Sequence, residues 1–191
     1  MTLSHKLILI RHSQSNPIAT MPPNEWTLSD EGRRRCHVLL DCLQSHAPEV
    51  IVTSPEKKAR ETAELVAGRL KLKVHVVDDL REHDRTGEPF TSHDIFLANV
   101  AAFFANPMRL MFGNETAASA YLRFSGAVKA VTHEHTGKTV AVFTHGTVIA
   151  LYLSRVLGVS AYEFWRKLEM PSMVILSLPD HRLVDVIEEI R

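Results

Sequence analysis

Three short apolar runs, each ending abruptly in polar residues, limit what this chain can fold into. Leu7-Ile8-Leu9-Ile10 runs into Arg11-His12, Val50-Ile51-Val52 into Thr53-Ser54-Pro55, and Val140-Ala141-Val142-Phe143 into Thr144-His145-Gly146. An apolar run bounded by polar groups reads as a strand buried on both faces, although four apolar residues alone fit a buried helical turn equally well. The repetition decides for strands, because a helical pattern follows each run. In an open α/β sheet, ligands bind beyond the carboxyl ends of the strands. Three strands aimed at one crevice would bring His12, Ser54 and His145 together.

The intervening segments supply the helices. Ser29 reads as an N-cap with Asp30 and Glu31 in the favourable first turn. Cys36, Leu39, Leu40 and Leu43 then form one apolar stripe, with Arg33-Arg34-Arg35 as the solvated face. Ser54 suits an N-cap and Pro55 the first position of the next helix, which places Lys58 in its first turn. Residues 86–115 are the least regular and are expected to form an insertion that packs over the sheet edge or caps the site. Asn114 is expected to cap a long helix carrying Phe124 and Val128, and the helix after Gly146 is apolar nearly all round. Val174–Leu178 and Leu183–Ile187 read as the final strands.

Composition narrows the function. A chain of 191 residues fits a single domain, 1–191. Lys plus Arg and Asp plus Glu are 22 each, which argues against a general nucleic-acid surface. Met1 to Lys6 lacks the apolar core of a leader, and no segment reaches the roughly 18 apolar residues of a membrane span. A soluble, cytoplasmic protein without membrane contact is expected. Cys36 and Cys42 fall on one helix about 9 Å apart, beyond disulfide reach. No Cys/His cluster has zinc spacing, so neither metal nor cofactor is expected. Among eleven histidines, only those at strand ends stand out.

Arg11-His12, Ser54-Pro55 with Ala59 and Thr62-Ala63, Glu82 after Leu80-Arg81, and Thr144-His145-Gly146 follow one another in an order that resembles the histidine phosphatase superfamily, also called phosphoglycerate-mutase-like. The resemblance spans nearly the whole chain. It implies an α/β fold, a three-layer α/β/α sandwich with a mostly parallel central sheet. It implies a metal-independent phosphatase acting on a phosphomonoester, with a small phosphorylated substrate or a phosphoprotein as partner. His12 would be the nucleophile, His145 the second catalytic histidine and Glu82 the general acid, with His83 or Asp84 in its place if the loop register differs. Arg11 and Lys58 would bind phosphate, with Ser15 and Gly146 as further donors.

The chemistry fits those residue types. An imidazole attacks phosphorus only with one nitrogen free and its ring held. A guanidinium fork matches phosphate oxygens in pairs. Departures from the pattern are equally plain. Lys58 stands where the family has arginine, Ser13 replaces the glycine after the nucleophile, and Arg85-Thr86-Gly87-Glu88 replaces a Gly-Trp-Glu-Gly-like sequence. Two alternatives stay open: a phosphoglycerate-mutase-type phosphotransferase, and a non-catalytic module that binds a phosphorylated ligand. Homodimer formation is left open as well.

Overall fold

The computed structural model describes residues 5–191. Residues 1–4, most of the stretch from Met1 to Lys6, lie outside the described residues. β1 (Lys6–Arg11), β2 (Val50–Thr53), β3 (Val74–Val76), β4 (Val140–Thr144), β5 (Ser172–Ser177) and β6 (Leu183–Ile187) form one six-stranded sheet in the order β3-β2-β4-β1-β5-β6. The four strands from β3 to β1 are parallel, and β5 and β6 run antiparallel at one side. β1 lies in register with β4, from Leu7 opposite Val140 to Arg11 opposite Thr144.

The apolar runs are continuous because both faces of the central strands are covered. α1 (Asp30–Gln44) and α2 (Lys57–Leu70) cover one face, where Leu39, Leu43, Ala63 and Val66 meet Ile8, Ile10, Ile51 and Phe143. α4 (Ala117–Glu134) and α5 (Gly146–Leu157) cover the other, where Phe124, Val128 and Ile149 meet Leu7, Leu9, Val52 and Val142. Alternate residues of each strand thus enter opposite cores. The result is the expected α/β/α sandwich. α3 (His93–Ala105) and α6 (Ala161–Lys167) form an outer layer on the α4–α5 side. There Phe103 packs on Ala117, Ala120 and Leu151, and Val100 packs on Ala150 and Trp165. Residues 86–115 therefore add to the helical layer.

Local chemistry explains where boundaries fall. Ser29 caps α1 as expected, its hydroxyl accepting from Gly32 N at 3.0 Å. The cap of α4 is Thr116, two residues later than the expected Asn114, whose side chain donates instead to Thr86 O. α2 has Glu56 at its cap position, two residues later than expected, while the Ser54 hydroxyl accepts from Glu56 N at 3.2 Å and also meets His145. Of the arginine triplet, Arg35 is not solvated; it pairs with Glu31 and donates to Met170 O. Gly32 brings α1 against the loop that follows β1, since a Cβ there would overlap the Gln14 carbonyl oxygen.

That contact is rigid backbone against backbone, so overpacking cannot be absorbed by a rotamer change. Gly32→Ala is expected to destabilise the fold by about 1–3 kcal/mol, measured by urea denaturation. Unchanged stability would show that α1 moves freely relative to the β1 loop.

Candidate active site

His12, Ser54 and His145 are each the first residue beyond a strand, and β4 draws all three together. Thr144 O accepts from His12 N, and Phe143 O accepts from Ser54 N, both at 2.9 Å. The Thr144 hydroxyl donates to Leu80 O at 2.7 Å, which anchors the segment leading to Glu82. The rings of His12 and His145 lie 5.2 Å apart, edge to face.

His12 is held by its own neighbour. Its Nδ1 lies 2.7 Å from Ser13 O, and a carbonyl only accepts, so Nδ1 carries the proton and Nε2 keeps its lone pair. Ser13 is fully buried; its hydroxyl donates to Gly32 O and its N–H to Thr62 Oγ1. The serine in place of glycine thus ties the nucleophile loop to α1 and α2. Burial first, then the charges of His145, Lys58 and Arg11, drive the His12 pKa well below its ordinary value.

His145 is fully buried, its Nε2 2.7 Å from Ser54 Oγ and 3.6 Å from Glu56 Oε1. Its Nδ1 has no partner among the described residues. Burial, reinforced by Lys58, Arg85, Arg11 and Arg123, pushes its pKa well down. Both imidazoles are therefore neutral in the folded protein. Arg11 donates through Nη1 to Leu168 O, while its buried Nε also lacks a partner. Gly146 makes room for this guanidinium, since a Cβ there would sit 3.0 Å from Arg11 Nε. A buried guanidinium donor and a buried imidazole nitrogen on adjacent strands, both without protein partners, define a place for an anion.

Lys58 is buried in the first turn of α2, and two of its three donors are committed. Its Nζ lies 2.6 Å from Glu56 Oε2 and 2.7 Å from Pro23 O. Burial raises the Glu56 carboxyl, but Lys58 and the Glu82 N–H outweigh it, and the pKa falls below the ordinary value. Sequence reasoning passed over Glu56. Its signal was a carboxylate directly after Ser54-Pro55 and two residues before the cation.

The Glu82 carboxylate accepts from three backbone N–H groups: His83 at 2.9 Å, Thr147 at 3.1 Å and Val148 at 3.3 Å. The amino terminus of α5 was expected to offer its N–H groups to phosphate; two of them are taken by Glu82 instead. Arg123 fixes this segment from behind. It pairs with Glu115 at 2.5 Å and donates to the carbonyls of Asp79, Arg81 and Glu82. Arg123 and Glu115 were also invisible to sequence reasoning, because Arg123 donates to main-chain carbonyls and Glu115 accepts from Arg123 and from Asp84 N, all distant in sequence. His83 is buried, stacked on Phe103 with centroids 4.1 Å apart, and Asp84 accepts from Thr86 N. Ser15 is bridged to Leu28 at the flank of the nucleophile loop.

A cleft of about 470 Å³ opens between the Pro23–Glu25 turn, Pro55-Glu56 and Arg81 to Thr86. Glu56 and Glu82 form part of its wall, whereas the two histidines are buried behind them. Arg85 stands over the Phe96 ring at 5.1 Å, which places a further cation at this opening. Among the described residues, no group of three His, Cys, Asp or Glu side chains is arranged to hold a metal ion. No helix there is long and apolar enough to cross a membrane.

Residues 7–186 match the histidine phosphatase superfamily (branch 1), and the chain belongs to that family. It is 28% identical over 171 residues to phosphoserine phosphatase 1 of Hydrogenobacter thermophilus, covering 84% of this chain and 80% of that one. Among solved structures, mycobacterial glucosyl-3-phosphoglycerate phosphatase superposes with a TM-score of 0.77 at 20% identity, over 97% of this chain and 99% of that one. A phosphoserine phosphatase variant from Entamoeba histolytica, in complex with phosphoserine, superposes with a TM-score of 0.78 at 17% identity, over 96% of both chains. The structural likenesses establish the fold.

Two neutral buried histidines make stability depend on pH. Their folded pKa values lie below the ordinary 6.5, so the unfolded chain binds more protons as pH falls. Their contribution is complete above that value and is lost as pH drops below it. His12→Asn is expected to lessen the loss of stability between pH 6.5 and 5, by up to about 1.4 kcal/mol per pH unit. Parallel denaturation curves for the two proteins would mean that His12 is charged in the fold.

Proposed function

We propose that this protein is a metal-independent phosphatase that hydrolyses a phosphomonoester through a phosphohistidine on His12. The observation that carries the reading is the His12 ring: neutral, oriented by Ser13 O, and left with the Nε2 lone pair. Arg11 and His145 supply unpartnered buried donors beside it for the phosphoryl oxygens. In the first step Nε2 attacks phosphorus and the bond to the leaving oxygen breaks, with Glu82 donating a proton to that oxygen. In the second step water attacks phosphorus, returns a proton to Glu82, and the P–N bond breaks. Phosphoryl transfer depends on positioning and charge neutralisation, which Arg11, Lys58 and His145 provide. The cleft volume and Arg85 favour a small substrate with a charged leaving group. The relatives named for phosphoserine and for glucosyl-3-phosphoglycerate make such phosphomonoesters the first to assay.

One observation favours a second reading. Glu56 occupies Lys58, which weakens the phosphate clamp and suits a module that binds a phosphorylated ligand without turning it over. The two readings separate in an assay of aryl phosphate and O-phosphoserine hydrolysis, with EDTA present, between pH 5 and 8. Turnover by the wild type and a loss of at least about a thousandfold in His12→Ala are expected for a nucleophile. Turnover by both proteins would overturn the mechanism. Phosphate binding without turnover would select the binding module.

A further inference from the structure

We propose that Glu56 is a positioning residue of this reaction, its carboxylate supporting a positively charged His145 once the phosphoryl group is bound. The proposal rests on the phosphatase reading above. Three contacts converge on this one side chain. Oε2 meets Lys58 Nζ at 2.6 Å, Oε1 accepts from Glu82 N at 2.8 Å, and Oε1 lies 3.6 Å from His145 Nε2. Glu56 therefore joins the cation of α2, the segment carrying the acid and the second histidine. Its side chain is 10% exposed and Lys58's is 5%, so these charges act with little solvent screening.

His145 is otherwise surrounded by positive charge. The charges of Lys58 on α2, Arg85 after Glu82, Arg11 on β1 and Arg123 on α4 all act on it, and the His12 ring lies 5.2 Å away. Glu82, seated on the first turn of α5, and Glu56 are the carboxylates facing this group. A phosphoryl dianion meeting the unpartnered Nδ1 changes the balance, because it adds negative charge on that side of the ring. The ring then lies between phosphate oxygens at Nδ1 and the Glu56 carboxylate near Nε2. Carboxylates on both sides of an imidazole favour its cationic form, and so do a carboxylate and a phosphate. The ring takes a proton from solvent on binding. No bond to phosphorus changes in this event, and the added positive charge offsets the charge on the transferring group.

Glu56→Gln keeps size and the acceptor for Glu82 N but removes the charge, whereas Glu56→Asp keeps the charge and shortens the reach. The pH profile of kcat should lose activity on its alkaline side about one pH unit earlier in Glu56→Gln, with kcat reduced and KM little changed. Glu56→Asp should retain the wild-type limb. An unshifted limb in Glu56→Gln, or equal damage in the two variants, would overturn the proposal in favour of a purely structural role. Ring NMR of His145 with saturating inorganic phosphate gives a readout that needs no turnover. A lower titration midpoint in Glu56→Gln than in wild type is expected, and coinciding midpoints would overturn the role assigned to Glu56. If that midpoint difference between the two proteins appears but wild type shows no hydrolysis, the phosphatase reading fails while the support of His145 by Glu56 stands. A His145 ring unresponsive to phosphate in both proteins would overturn the Glu56 proposal, whatever the hydrolysis assay shows.

Discussion

Two carbonyl groups at the end of one central strand hold the site in place. Phe143 O and Thr144 O accept from Ser54 N and His12 N, so the first residues beyond β2 and β1 are fixed relative to β4. The first residue beyond the same strand is His145 itself. A hydroxyl from Thr144 then ties in the segment leading to Glu82. Main-chain hydrogen bonds of this kind fix position without relying on side-chain rotamers, which suits groups that must meet within a few tenths of an ångström. The sheet therefore ends in a constellation whose spacing is set by the peptide ladder.

The charges behind that constellation are arranged in layers. Arg11, Lys58, Arg85 and Arg123 surround two imidazoles that burial has already discharged. Each buried cation is partly compensated by an acceptor of the protein's own: Leu168 O for Arg11, Glu56 for Lys58, and Glu115 with three carbonyls for Arg123. Unpaired burial of such charges would be costly. What is left over is specific: Arg11 Nε and His145 Nδ1, two unpartnered nitrogens next to the nucleophile. The site thus holds positive potential without a loose cation at its centre.

The strands and the histidines were legible in the sequence because both follow from local pattern. Leu7 to Ile10 and Val140 to Phe143 are apolar throughout since helices cover both faces, and the polar residue after each run marks the strand end. The N-cap at Ser29 was legible for the same reason. Ser54 was legible in part: its hydroxyl accepts from Glu56 N as a cap does, but it also serves His145, 91 residues away. Glu56 and Arg123 escaped because nothing in their neighbours reveals a partner in another element. The Glu82 carboxylate on α5 escaped likewise: a residue in a charged stretch gives no hint that it satisfies N–H groups at a distant helix start. Sequence pattern carries period and termini, and it carries little about long-range polar pairing.

The position of β1 in the sheet has a consequence for how the chain acquires its structure. Its two neighbours, β4 and β5, begin at Val140 and Ser172, so the strand bearing the nucleophile has no hydrogen-bonding partner until the segment from Val140 onward is present. Leu7 to Ile10 therefore find their strand partners only far along the chain. Such non-local pairing slows folding and leaves an apolar segment exposed in the interim. α1, α2 and β2 can gather around one another early, but the sheet closes only when β4 inserts between β2 and β1. The strand that fixes the site is also the one whose arrival completes the fold, so the native sheet and the site's geometry form in the same event.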